Sequence, residues 1–142
     1  MNKIPSSLFA IVGYLIFIAS AYGQEVGSTA PYAQRMKQAA KEAGISVNRC
    51  KNRRMHSEFK SHVQFATCVN QAIDIAYERA GYLYPDLTAA MNAKRLDIAQ
   101  RIDKKQITES QGNEEFSAFS AQMSKEEIVR DKTRKSPPQP SQ

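Results

Sequence analysis

The chain has 142 residues, 42% of them hydrophobic, and its 20 lysines and arginines exceed its 14 acidic residues to give a net charge of +6. A chain of this length forms one ordinary domain with a modest core, which argues against a second domain. The positive charge is uneven, because residues 35–62 hold eight cations against two anions while the residues after them balance.

Residues 1–23 have the order of a cleavable secretory signal peptide. Lys3 precedes a 14-residue apolar run, residues 8–21, and the small-residue site 21–23 follows it. This run is shorter than the roughly 20 residues that cross a bilayer comfortably, although an uncleaved anchor remains the alternative. We therefore expect a periplasmic or secreted protein that begins near Gln24 and has no stable membrane anchor after cleavage.

The first half of the mature chain predicts two helices. A hydroxyl residue and Pro31 precede a helix over 32–43, which Gly44 should end. Residues 45–56 are expected to be irregular or weakly helical. Apolar residues recur every three or four positions over 58–80, which predicts a long helix with one core-facing side, capped by Ser57 and ended by a glycine at position 81.

The second half predicts two more helices. Pro85 suits a helix start, and residues 86–105 carry an apolar stripe that Lys94 and Arg95 interrupt. Thr108 and its partner three residues later fit a capping box for a last helix, which should bury Phe116, Phe119 and Met123. Gly112 weakens that helix, and the Pro-rich residues 135–142 read as a disordered tail. We expect an all-α fold, a three- or four-helix bundle in a single helical domain over 24–134.

The segment from Arg95 to Phe116, RLDIAQRIDKKQITESQGNEEF, resembles an arrangement found in small exported helical proteins of proteobacteria with unassigned roles. In those proteins a helix ends in a pattern of LA, two further residues, VD, then G or K, and IT, and a Glu-rich helix follows. The resemblance implies a helical hairpin and no catalytic residue. This chain departs from that pattern at Lys104 and Lys105, where a glycine turn is expected, and at Gln111 and Gly112, where a helix-favouring pair is expected.

The two cysteines, Cys50 and Cys68, are even in number in a chain predicted to be exported, which indicates a disulfide. The alternative is a pair of free thiols in a reducing compartment. His56 and His62 lie between the cysteines at an even spacing of six residues, and Cys and His are the usual ligands of zinc. A zinc site is not expected, however, because His62 and Cys68 point to different faces of the predicted helix and the sequence has no closely spaced ligand pair. We expect no metal and no cofactor.

The cationic region comprises Arg49, Lys51, Arg53, Arg54 and Lys60. Arginines bind carboxylate and phosphate groups through paired hydrogen bonds, and positive charge speeds the encounter with an anionic partner. The alternative is a solvated surface beside the disulfide. Nucleic acid is an unlikely partner outside the cytoplasm, so we expect an acidic protein or an anionic envelope component.

No nucleophile elbow, phosphate loop or paired carboxylates indicate catalysis, and Asp97 and Asp103 read as a solvated ion-pair face. The leading hypothesis is therefore a non-enzymatic interaction protein. The alternatives are a small cell-envelope hydrolase or a modulator of one, and an immunity-type inhibitor of an exported toxin.

Overall fold

The computed structural model describes residues 30–135, which form an all-α fold of four helices with one disulfide. These helices are α1 (Ala30–Met55), α2 (His62–Ala80), α3 (Pro85–Asp103) and α4 (Glu109–Lys135). The predicted signal peptide and residues 136–142 of the predicted tail lie outside the described residues.

Helix α1 runs straight through Gly44, so the predicted helix end there and the irregular segment 45–56 are wrong. A glycine inside a helix costs about 1 kcal/mol relative to alanine. The buried stripe continues across it, however, because Ala39, Ala43, Val47 and Cys50 are spaced by four, four and three residues and all are buried. Burial of that continuous stripe against α2 outweighs the local cost of the glycine.

Helix α2 begins later than the sequence predicts, because its N-cap is Ser61 and not Ser57. Ser57 adopts a left-handed conformation, with φ of 59°, and the N–H of Glu58 donates to the carbonyl of Arg53 at 3.0 Å. This pattern is a Schellman ending of α1. The hydroxyl of Ser61 accepts a hydrogen bond from the N–H of Gln64 at 3.1 Å and caps α2.

The remaining helix ends follow the sequence closely. Gly81, at φ of 70°, closes α2, and Pro85 occupies the first turn of α3. Lys105, at φ of 59°, takes the left-handed position after α3 that a glycine would fill without strain. The predicted capping box is confirmed, because the hydroxyl of Thr108 accepts from the N–H of Gln111 at 3.2 Å and the Gln111 side chain accepts from the N–H of Thr108 at 2.9 Å.

Helix α4 continues beyond Met123 to Lys135, through residues with no apolar pattern. Ion pairs support this part: Arg130 contacts Glu126 one turn earlier at 2.8 Å and Asp86 of α3 at 2.7 Å. The hydroxyl of Tyr84 also donates to Asp131 at 2.6 Å. Polar contacts to α3 thus hold a helix end that hydrophobic periodicity does not predict.

Each helix packs mainly on its neighbours in sequence, and the apolar core is divided into two clusters. One lies between α1 and α2, the other between α3 and α4 around Met91, Ile98 and Phe116. Gly112 allows α4 to approach α3, because a Cβ atom there would lie 2.7 Å from Cγ2 of Ile98. The glycine that weakens the sequence-based prediction of α4 is thus required by its packing.

Within residues 30–135, none of the helices combines the length and the apolar character needed to cross a membrane.

Candidate functional site

The predicted disulfide is confirmed and joins the last two turns of α1 to α2. The Cα atoms of Cys50 and Cys68 lie 6.0 Å apart, and 18 positions separate the two residues in the chain. Cys50 is buried in the core between these helices. The bond therefore fixes the part of α1 that carries four of the five residues of the cationic region.

Arg53 and Arg54 of the cationic region already have partners inside the protein. Arg53 pairs with Glu58 at 2.7 Å and lies over the ring of Phe59, but half of its side chain remains exposed. Arg54 lies over the ring of Phe65, 4.9 Å from the centroid, and approaches a carboxylate oxygen of Glu109 at 3.4 Å. Arg54 therefore links three helices, whereas Arg53 belongs to the surface.

The other three residues of the cationic region do not share one face. Arg49 precedes Arg53 by one helical turn and lies beside it, and both side chains are exposed. Lys60 is exposed in the turn that also carries Glu58, the partner of Arg53. Lys51 is half-buried and lies about 200° around α1 from Arg49. Arg49 and Arg53 thus lie one turn apart on α1, and Lys60 follows in the turn after this helix; we call these three exposed cations the cationic face.

His62 forms the junction of α2, α3 and α4, which the sequence did not reveal. Its Nδ1 lies 2.7 Å from Asp103 and its Nε2 lies 2.6 Å from Glu109. Asp103 also accepts from the backbone N–H groups of His62 and Val63 at 2.8 and 3.1 Å. Asp103 therefore caps α2 from the end of α3, and the prediction that it belongs to a merely solvated ion-pair face is incomplete.

The carboxylate of Asp103 is stabilised in its charged form. Burial acts against the charge, but hydrogen bonds from the N–H groups of His62 and Val63 and from the His62 ring hold the pKa of Asp103 below its ordinary value. Both ring nitrogens of His62 are engaged by carboxylates, which leaves none to take a proton from a hydroxyl. This arrangement does not supply the histidine–hydroxyl pair that would favour the hydrolase alternative.

In the described part of the chain, no group of three or more His, Cys, Asp or Glu side chains is arranged to hold a metal ion.

Arg95 is charged but buried, with only 6% of its surface exposed. Its Nη1 donates to the side-chain oxygens of Asn70, on α2, and Asn92, the latter at 2.9 Å. The amide of Asn92 donates in turn to Asp74 at 2.6 Å. The guanidinium lies over the ring of Phe116, 4.8 Å from its centroid. Arg95 thus connects α2, α3 and α4 through polar groups.

A cavity of about 30 Å³ lies beside Arg95, where the four helices meet. Sequence reasoning placed Arg95 only as an interruption of the stripe of α3. The available signal was its position, four residues after the buried Met91 and three before the buried Ile98, which puts a charge on the inward side. The residues around the cavity are Arg54, His62, Phe65, Ala66, Val69, Arg95, Ile98, Ala99, Ile102 and Phe116.

Comparison of the chain with protein-family models, with curated proteins and with solved structures finds no match.

Proposed function

We propose that this is an exported, non-enzymatic interaction protein that binds an acidic protein or an anionic envelope component through its cationic face. The observation that supports the proposal is the exposure of Arg49 and Arg53, one turn apart on the end of α1 that the disulfide joins to α2, with the exposed Lys60 in the turn that follows. Export is supported by the signal-like residues 1–23 and by the disulfide, which is typical of an oxidising compartment.

Arg53 can exchange its internal partner for an external one. Its ion pair with Glu58 is exposed on both sides, with about half of each side chain accessible. Exposed ion pairs contribute only about 0–1 kcal/mol, so an incoming carboxylate or phosphate competes with Glu58 at small cost. Beside it, the exposed side chains of Arg49 and Lys60 add two further charges.

Preorganisation is the contribution of the fold to this binding. The disulfide and the Schellman ending fix the backbone on both sides of Arg53, and the Phe59 ring supports its guanidinium from 4.7 Å. Less conformational freedom is then lost when a partner binds. Arg54 contributes indirectly, because its contacts with Phe65 and Glu109 hold the end of α1 in place.

The test is salt-dependent binding to two defined probes, poly-glutamate and phosphatidylglycerol vesicles. The triple variant Arg49→Gln, Arg53→Gln and Lys60→Gln should bind at least about tenfold more weakly and show a smaller salt dependence. Its control has the same net charge: Lys37→Gln, Arg79→Gln and Lys125→Gln replace three exposed cations on other parts of α1, α2 and α4. Equal losses in both variants would show that total charge rather than the cationic face governs binding and would contradict the proposal.

A further inference from the structure

The side of α1 that faces away from α2 is exposed along most of its length. Helix α1 packs mainly on α2, and its buried residues lie on that side of its axis. Opposite them runs a stripe of exposed residues, each within about 40° of Ile45 around the helix axis. We call it the outer stripe; it comprises Gln34, Gln38, Lys41, Ile45, Arg49 and Asn52.

The outer stripe combines cations and amides with one apolar residue. Ile45 is 47% exposed, and it lies between Lys41 one turn before it and Arg49 one turn after it. No carboxylate belongs to the stripe. The one acidic residue of α1, Glu42, is directed towards α2, where it pairs with Arg79 at 3.8 Å. The surface around Ile45 is therefore positive, with an exposed apolar side chain at its centre.

The shape of the outer stripe suits a flat partner. Its members lie on one side of a single uninterrupted helix. Its ends, Gln34 and Asn52, are about 27 Å apart at a rise of about 1.5 Å per residue. One plane can therefore contact the whole stripe at once.

These features favour an anionic lipid bilayer over other anionic partners. Lysine and arginine pair with the phosphates of the headgroup layer, while an apolar side chain between them reaches the boundary of the acyl chains. A purely charged polymer offers no apolar layer in which Ile45 is buried. A protein partner ordinarily covers a contiguous apolar patch, which one isoleucine among amides and cations does not provide.

We infer that α1 binds the surface of an anionic bilayer through its outer stripe, with Ile45 inserted at the boundary of the acyl chains and Lys41 and Arg49 paired with lipid phosphates. The inference rests on the proposed function, because Arg49 belongs to the cationic face, and it names the lipid headgroup layer as the anionic envelope component. Binding is reversible, since one apolar side chain and a few cations give only modest membrane affinity.

Tryptophan fluorescence tests the insertion directly, because the chain has no tryptophan of its own. Ile45→Trp is mixed with vesicles of phosphatidylglycerol or of phosphatidylcholine. Ile128→Trp is the matched control, since Ile128 of α4 is 45% exposed. We expect a blue shift, and quenching by brominated acyl chains, for Ile45→Trp with the anionic vesicles only, and neither for Ile128→Trp. The apolar run 8–21 is the same in both variants, so any affinity of its own for lipid is common to them.

Polar variants test whether Ile45 contributes to affinity. Ile45→Gln should weaken binding to phosphatidylglycerol vesicles about three- to tenfold, because the exposed half of the side chain no longer enters an apolar layer. It should leave binding to poly-glutamate unchanged. Ile128→Gln should bind both probes as the native protein does.

The outcomes separate this inference from the proposed function. An unshifted emission of Ile45→Trp, or unchanged vesicle binding by Ile45→Gln, would overturn the inference. An equal loss of poly-glutamate binding by Ile45→Gln would also overturn it, since the stripe would then suit an acidic protein. In each of these cases the proposed function stands if the triple variant of the cationic face still binds more weakly than its control. Native protein that binds neither probe would contradict both.

Discussion

Reduction of the Cys50–Cys68 bond should lower the stability of the protein by an amount fixed mainly by loop length. The bond closes a loop with a sequence separation of 18. The chain-entropy relation gives about 3 kcal/mol for a loop of this size. For a domain of about 100 residues, this corresponds to a fall in Tm on the order of 10 °C.

Urea unfolding of the protein, with and without a phosphine reductant, measures this loss directly. The reduced protein is the better comparison, because it keeps both sulfur atoms in the core and loses only the cross-link. Cys50→Ala with Cys68→Ala should cost slightly more, since the Cys50 side chain is only 3% exposed and its packing is lost as well.

Two results would refute this reasoning. Oxidised and reduced proteins that unfold within about 0.5 kcal/mol of each other would show that the bond adds nothing to the packing of α1 on α2. Alkylation of the unfolded, non-reduced protein provides the second check, because two labelled thiols in the mass spectrum would mean that the native protein lacks the bond.

Three further perturbations probe the α3–α4 hairpin. Gly112→Ala should destabilise the protein by about 1 kcal/mol despite better helix propensity, because its Cβ meets Cγ2 of Ile98 at 2.7 Å, and an unchanged urea midpoint would contradict that contact. Lys105→Gly should raise the free energy of unfolding by about 0.5–1 kcal/mol, and with it the thermal midpoint, because glycine adopts the left-handed conformation without strain. A lower midpoint would argue against that conformation. Hydrogen bonds from Arg101 and Lys94 lower the pKa of Glu115 to about 2. The contribution of this carboxylate to the stability of the fold is therefore complete above its ordinary pKa of 4.5 and is lost as pH falls toward 2. Glu115→Gln should therefore flatten the fall in stability between pH 5 and 2, and parallel curves for both proteins would show that this carboxylate is not responsible.

The parts of the fold that the sequence predicts correctly depend on local or periodic signals. The all-α class, the inward stripe of α2 and the capping box of α4 each follow from the spacing of a few residues in one segment. The disulfide follows from cysteine number and expected compartment. These features need no knowledge of which helices become neighbours.

The errors arise where tertiary packing overrides a local preference. Gly44 ends a helix by propensity alone, yet Val47 and Cys50 continue the stripe that α2 covers. Ser57 and Ser61 are equally good caps as residue types, and the position of Asp103 beneath the start of α2 favours the later one.

The contacts of the buried Arg95 could not be predicted from the sequence for a different reason. The position of Arg95 on the inward side of α3 can be read from its spacing, but its partner Asn70 lies 25 residues away on α2. Nothing in either segment indicates that these two residues meet.

The pairing of each helix with its neighbours in sequence has a consequence for how the chain folds. Contacts between consecutive helices close short loops, which lose little entropy, and proteins dominated by such contacts fold quickly. With one apolar cluster in each half, α1 and α2 can bury their stripe before α3 and α4 are available. Because synthesis proceeds from the amino terminus, the half that carries the disulfide can form first, and the second half then docks onto a surface that already exists.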